Sequence, residues 1–209
     1  MRRFRRTVLA VVLLTVGLVA ACTTTESGQA TPSGGASSTS GSETPESTST
    51  QPSSDIPAPP RELSLDGVDP CALFTDAQRT QLRVNDVDPK DDGGEDIYDG
   101  MKTCILDADA EEPFITYQVI AVTDVDVSFW LSEDRNADAE LISVDGFPAA
   151  QFHTKGVEGS DCAIAVGVAK NQHLHVEMAP LSEELDQDAI CQGSKQAAEM
   201  ALQTLQTLK

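Results

Sequence analysis

His173-x-His175 places two imidazoles two residues apart, and Glu177 continues the spacing. In an extended strand, residues i, i+2 and i+4 share one face. The three would stand in a row, offering two nitrogens and a carboxylate to a divalent transition metal. His153, the remaining histidine of the chain, lies on another apolar segment and could add a third nitrogen. An envelope hydrolase or metal-dependent enzyme with its site around His153, His173 and His175 is therefore the sharpest chemistry these residues suggest. The plainer expectation is a solvated face of a half-buried sheet, with histidine serving as a polar strand residue. Two histidines on one strand carry little weight without a converging partner, so no metal and no other cofactor is expected.

The acids Asp86, Asp88, Asp91, Asp92, Glu95, Asp96 and Asp99 raise calcium as a second possibility. An EF-hand loop sets oxygens at alternate positions with glycine at the sixth. Counted from Asp86 or Asp88, Lys90 falls on a ligand position and the register fails, which leaves a solvated acidic loop. There is no G-x-S-x-G elbow, no H-E-x-x-H, no phosphate loop and no G-x-G-x-x-G. A non-enzymatic role is the expectation.

Cysteine usage points to an oxidising compartment. Cys22 follows Val19-Ala20-Ala21 at the end of an uncharged run, Thr7 to Ala21, that is preceded by Arg2, Arg3, Arg5 and Arg6. Basic start, apolar run and small residues in this order describe a secretory signal over residues 1–21. As a helix, the run spans roughly 22 Å against a hydrocarbon core of ~30 Å. The small residues before Cys22 resemble the lipobox of bacterial lipoproteins, which implies a diacylglyceryl group, with further acyl chains such as palmitate, on Cys22. Two or more acyl chains hold a protein stably at a membrane. Cys71, Cys104, Cys162 and Cys191 remain, an even set in an exported domain. Zinc is disfavoured because no C-x-x-C spacing exists. Three pairings into two disulfides are open; Cys71 with Cys104 and Cys162 with Cys191 is the expected one, because it ties each half locally and joins a helix to a strand in each.

The elements that must position these residues come after a tether. Residues 22–60 are dominated by Ser, Thr, Pro and Gly, a composition that cannot offset its conformational entropy by burial. Its mean reach is roughly 35 Å. Residues 61–209 carry the pattern of a fold. Thr75 and Gln78 form a capping box for a short helix, and Asn85 to Gly100 reads as loop. Met101–Leu106 and Phe114–Val122 read as strands, Thr123 and Asp126 as a cap for a helix through Phe129-Trp130-Leu131 ending near Arg135, and Glu140–Val144 with Ala149–His153 as two strands around a turn at residues 145–148. Asp161–Ala169 and Gln172–Ala179 form a hairpin. A two-residue turn at Lys170-Asn171 would set His175 beside Val166 and His173 beside Val168, mixing polar and apolar side chains, so a three-residue turn Ala169-Lys170-Asn171 with Asn171 in the left-handed region is expected. Ile164 then faces Val176 and Val166 faces Leu174, leaving His173, His175 and Glu177 beside Gly167, Ala165 and Ala163 on the other face. Asp186 to Leu208 is a helix with Ser194, Ala198, Ala201, Leu205 and Leu208 on one stripe. The fold class expected is α+β: a mostly antiparallel sheet with helices packed on one face, two disulfides, and the other face partly solvated.

Asp69-Pro70-Cys71-Ala72-Leu73-Phe74-Thr75 resembles the D-P-C-x-L-L-T opening of the actinobacterial lipoproteins grouped as domain-of-unknown-function family 3558. Asp145-Gly146-Phe147-Pro148-Ala149 resembles that family's G-x-P-A turn, and Cys162 and Cys191 resemble its later pattern. Cys104 is followed by Ile105 and Leu106, where the family commonly has an aromatic. The resemblance implies an envelope lipoprotein and no particular activity.

Charge closes off other classes. The chain has 14 Lys+Arg against 34 Asp+Glu, net −20; loss of the four signal arginines leaves ten basic residues and a balance of −24. Nucleic acid requires basic residues to release counterions, so it is excluded as a partner, and an anionic lipid surface would repel the domain. The expectation is a lipid-anchored binding module on the extracytoplasmic face of the cell membrane, recognising an envelope protein or a small apolar ligand on the uncovered side of the sheet.

Overall fold

A seven-stranded sheet forms the centre of the molecule, with strand order β1-β2-β3-β7-β6-β5-β4 and every pairing antiparallel. The strands are β1 (Asp86–Lys90), β2 (Thr103–Ala108), β3 (Ile115–Val122), β4 (Ala137–Val144), β5 (Phe147–Thr154), β6 (Cys162–Ala169) and β7 (Gln172–Pro180), with helices α1 (Asp76–Gln81) and α2 (Gln187–Leu208). The structure is a computed structural model and describes residues 56–94, 96–181 and 185–209. The described residues belong to one unit, Ser49–Lys209. The signal segment, Cys22 and the tether up to residue 55 lie outside them. Ile56 packs against the sheet. Among the described residues no helix is long and apolar enough to cross a membrane.

One face of the sheet is covered by α2 and by a 3-10 turn, Pro70–Leu73. Asp186 caps α2 by accepting from the Asp188 amide at 3.0 Å, as an N-cap aspartate does. Ile190, Ala197, Ala198, Ala201, Leu202 and Leu205 then bury against Ile164, Val166, Leu174 and Val176 of the central strands. Leu208 is 56% exposed, so the apolar stripe stops one turn short of the expected end. The Ser194 hydroxyl donates to the Cys162 carbonyl at 2.6 Å and accepts from the Met178 amide at 3.1 Å, joining α2 to β6 and β7 where those two residues pair. A Cβ on Gly193 would collide with the Met178 sulfur, so this glycine permits close helix-on-sheet packing. The capping box at Thr75 and Gln78 is present, and Gln78 Nε2 also donates to the Met200 carbonyl at 2.9 Å, clipping α1 to α2.

Both expected disulfides are formed, Cys71–Cys104 and Cys162–Cys191. The first ties the 70–73 turn to β2 and the second ties β6 to α2. On the chain-entropy view each contributes roughly 3 to 4 kcal/mol.

The β6–β7 register matches the expectation: Ile164 opposes Val176, Val166 opposes Leu174, and Gly167, Ala165 and Ala163 oppose His173, His175 and Glu177. Asn171 adopts φ 55°, but the turn is the two-residue Lys170-Asn171, since Ala169 pairs with Gln172. A bulge between Gly167 and Ala169, and not a three-residue turn, supplies the extra residue that keeps the register. The backbone carbonyl of the bulged Val168 accepts from the Leu63 amide at 2.8 Å.

Three further expectations change. Asp86–Lys90, expected as loop, is β1, because half-buried Val87 packs on the core while Asp86, Asp88, Pro89 and Lys90 suit an edge strand that needs few donors. The helix expected after Thr123 and Asp126, ending near Arg135, is a single 3-10 turn, Val127–Phe129, capped by Asp126. A short helix is marginal alone, and the backbone and side chains here bond to β7 instead. The turn at 145–148 narrows to Asp145-Gly146, φ 48° and 84°, the left-handed pair that a two-residue hairpin requires, and Phe147 and Pro148 start β5.

Candidate functional site

The sheet face opposite α2 is the one expected to be partly solvated, and there the structure differs most from the expectation. His173 is 0% and His175 1% exposed. They are covered by two segments, Tyr98 with Met101 and the stretch from Val125 to Leu131. Alternate positions of β6 on this face are Ala163, Ala165 and Gly167, so no side chain rises between β7 and β5, and large groups from the loops settle into the gap. A Cβ on Gly167 would lie 3.2 Å from Val127 Cγ1 and 3.4 Å from the Pro148 carbonyl. Asp126 accepts from the Ser128 amide at 2.9 Å, capping the 3-10 turn that delivers Trp130 over the strand.

Trp130 stacks on Phe152 of β5, with ring centroids 4.0 Å apart and planes 13° from parallel, and Phe129 meets it edge-on at 5.0 Å. Tyr98 lies 6.2 Å from Trp130 and 5.1 Å from His175. The Arg135 guanidinium sits 3.8 Å over the Phe129 ring, a cation–π contact. Four of the chain's nine aromatic residues therefore gather here, and Tyr98, Phe129 and Trp130 are half-buried.

Each histidine has a defined role in this cluster. His173 Nδ1 lies 2.8 Å from the Val125 carbonyl, and Trp130 Nε1 donates to His173 Nε2 at 3.3 Å. These partners select the neutral tautomer with the proton on Nδ1. Burial pushes the imidazole down from 6.5 to about 4; the Val125 hydrogen bond opposes that, His175 adds to it, and Asp126 opposes it weakly. His175 Nδ1 is 3.1 Å from the Tyr98 hydroxyl. Its Nε2 is 3.4 Å from Glu177 Oε2, an electrostatic contact without hydrogen-bond geometry. Tyr98, His175 and Glu177 thus form a row reaching from the half-buried tyrosine to a partly exposed carboxylate, with a buried imidazole between them.

His153 is on the other face. Its neighbour Gln151 opposes Ile164 of the α2-side core, whereas Phe152 opposes Ala163. It lines a cleft of 290 Å³ with Asp138, Glu140, Gln187 and Asp188, where His153 Nε2 stands 3.9 Å from Asp138 Oδ2. The sheet separates it from His173 and His175, so the site expected around His153, His173 and His175 is not assembled. The row of His173, His175 and Glu177 as metal ligands is corrected too: both His173 nitrogens are engaged within the protein. Among the described residues no group of three or more His, Cys, Asp or Glu is arranged for a metal ion. In the acidic stretch, Asp92 Oδ1 accepts from the amides of Gly94 and Gly100 at 3.0 and 3.3 Å, closing its own loop.

Sequence reasoning missed Tyr98, Trp130 and Phe152. A signal was present: three small residues at alternate positions beside His173, His175 and Glu177 leave a trough on one sheet face, and something large must fill it.

Residues 17–204 match the model of a family described as protein of unknown function (DUF3558). The chain belongs to this family. That match spans the sheet, α1, all but the last four residues of α2, both disulfides and the aromatic–histidine cluster, so the DUF3558 fold is the setting in which this cluster is to be understood. No curated protein matches the chain, and no solved structure does.

Proposed function

We propose that this DUF3558 protein is an envelope lipoprotein, anchored through lipid on Cys22 to the extracytoplasmic face of the cell membrane, whose folded domain is a binding module. The observation that carries the binding role is the aromatic–histidine cluster. Tyr98, Phe129 and Trp130 are half-buried, with Arg135 over Phe129 and Glu177 by His175, while Phe152, His173 and His175 pack against them. Aromatic side chains with adjacent charge are what recognition surfaces concentrate. An enzyme would need a cleft where histidines and an acid converge; here the sheet divides His153 from the other two. The anchor rests on the order of basic start, apolar run, small residues and Cys22, and the tether lifts an acidic domain clear of anionic lipid.

The test is affinity capture from intact cells with the lipid anchor retained, comparing the natural chain with Trp130→Ala, followed by mass spectrometry. The expected result is a partner or small apolar ligand enriched by the first and lost from the second. An identical set from both would overturn the binding surface. Intact-mass analysis tests the anchor, which requires acylated Cys22 as the mature N-terminus.

A further inference from the structure

The two edges of the sheet are unequal. β1 is five residues long, carries Asp86, Asp88 and Lys90, and contains Pro89, which has no amide hydrogen to offer. Charge, proline and shortness are the usual devices that stop an edge from pairing with another chain. β4 at the other edge is eight residues long and has no proline, and its two charges, Asp138 and Glu140, are of one sign and on one face. Four consecutive residues, Asp138 to Leu141, are exposed, and Ser143 as well. Because successive side chains of a strand point to opposite faces, a run of exposed neighbours means that both faces of this edge are open. Leu141 is one of few large apolar residues exposed, at 40%. Among the described residues no backbone hydrogen bond joins β4 to any strand but β5.

The register sorts the side chains of β4 by face. Asp138 and Glu140 oppose His153 and Gln151, on the α2 side, and face the 290 Å³ cleft that Asp188 also lines. Ala139 and Leu141 oppose Phe152 and Ala150, on the aromatic side. From Ala137 to Leu141 the free edge is thus acidic towards one face and apolar towards the other, while Ile142 and Val144 return the α2 side to the core.

We infer that β4 is a docking edge for an extended cationic segment of a partner protein, which adds as an eighth strand with basic side chains over Asp138, Glu140 and Asp188 and apolar ones beside Ala139 and Leu141. Backbone pairing along the edge supplies affinity, and the alternation supplies specificity. A second copy of this chain is the wrong occupant, because antiparallel pairing of two β4 strands would bring acids onto the same face as acids. The edge adjoins the aromatic cluster through Ala137 and Ala139, but Asp138, Glu140 and the unpaired backbone lie outside that cluster, so either can stand without the other.

The test uses the full chain in detergent micelles and an eight-residue peptide, the length of β4, that alternates lysine and valine. Controls are the same composition with the lysines in one block and an alternating glutamate–valine peptide. Anisotropy of labelled peptide gives affinity, and amide hydrogen exchange gives location. Expected are binding of the alternating basic peptide, new protection confined to residues 137–144, and affinity weaker by roughly tenfold or more in the double variant Asp138→Lys, Glu140→Lys. An unchanged thermal midpoint in that variant is expected too; if the variant fails to fold, the control peptides and the location of protection on the natural chain still decide. Equal binding of the block or acidic peptide, protection elsewhere, no binding, or self-association that protects β4 without peptide would each overturn the docking edge. Capture lost in Trp130→Ala with β4 unprotected by peptide would overturn the edge alone and leave the proposed binding surface standing.

Discussion

The two faces of the sheet are held down by different physics. On one, α2 lays an Ala/Leu stripe on Ile164, Val166, Leu174 and Val176, and a disulfide and the Ser194 bridge fix its position. On the other, loops remote in sequence are held by stacking on Phe152 and by hydrogen bonds to two buried histidines. Aliphatic burial and covalent closure are indifferent to pH. A buried imidazole is not, since it must stay neutral to remain where it is. The helical face is built for persistence, and the loop face depends on two imidazoles remaining uncharged.

The largest effect should come from breaking the helical face. Replacing Cys162 and Cys191 by alanine is expected to cost roughly 3 to 4 kcal/mol, read as a lower denaturant midpoint, with hydrogen exchange rising first along α2. Exchange rising first around Trp130 would reverse the comparison.

Next comes acid. His173 titrates at about 4 in the folded chain against 6.5 ordinarily, so between those values the unfolded chain binds the extra proton. Stability from the neutral imidazole is full above pH 6.5 and is lost as pH falls towards 4, a total of about 3 kcal/mol. Unfolding curves across that range should show the loss, and His173→Gln should flatten this part of it. A parallel loss in the variant would assign the pH dependence elsewhere.

Trp130→Ala removes the indole donor and the cover over both histidines, for about 2 kcal/mol at this half-buried site. It should also move the His173 titration up towards the ordinary value, which a merely local cavity would not do. The smallest effect is Gly193→Ala. In most helices that change stabilises by about 1 kcal/mol; here the new methyl meets Met178, and a net destabilisation of about 1 kcal/mol is expected in thermal melts.

The same contrast explains what the sequence disclosed. The α2 side repeats on the helical period, the Cys162–Ala169 and Gln172–Pro180 hairpin alternates on the strand period, and Thr75, Asn171 and Asp186 carry local signals for a cap, a left-handed turn and another cap. Those features are encoded within a few residues of each other, and the register of the two central strands followed from them. Burial of His173 and His175 depends on Tyr98, Trp130 and Phe152, contributed by three separate segments, and no local period reports such a meeting. Polar histidines alternating with apolar residues resemble a solvated strand until the covering groups are located. Only Ala163, Ala165 and Gly167 hinted at the cover, by being too small to fill the space themselves. The strand at Asp86–Lys90 was masked in a similar way, because an edge needs so little apolar content that its acids read as loop.

The account rests on a neutral, buried His173 holding the aromatic loop to the sheet. Nitrogen NMR of the imidazoles, with His173 assigned by comparison with His173→Gln, tests this directly. The prediction is a single neutral tautomer with the proton on Nδ1 from pH 7 down to 5, protonating only near 4. A titration midpoint near 6.5, or a mixture of tautomers at neutral pH, would mean an imidazole open to solvent and would contradict it.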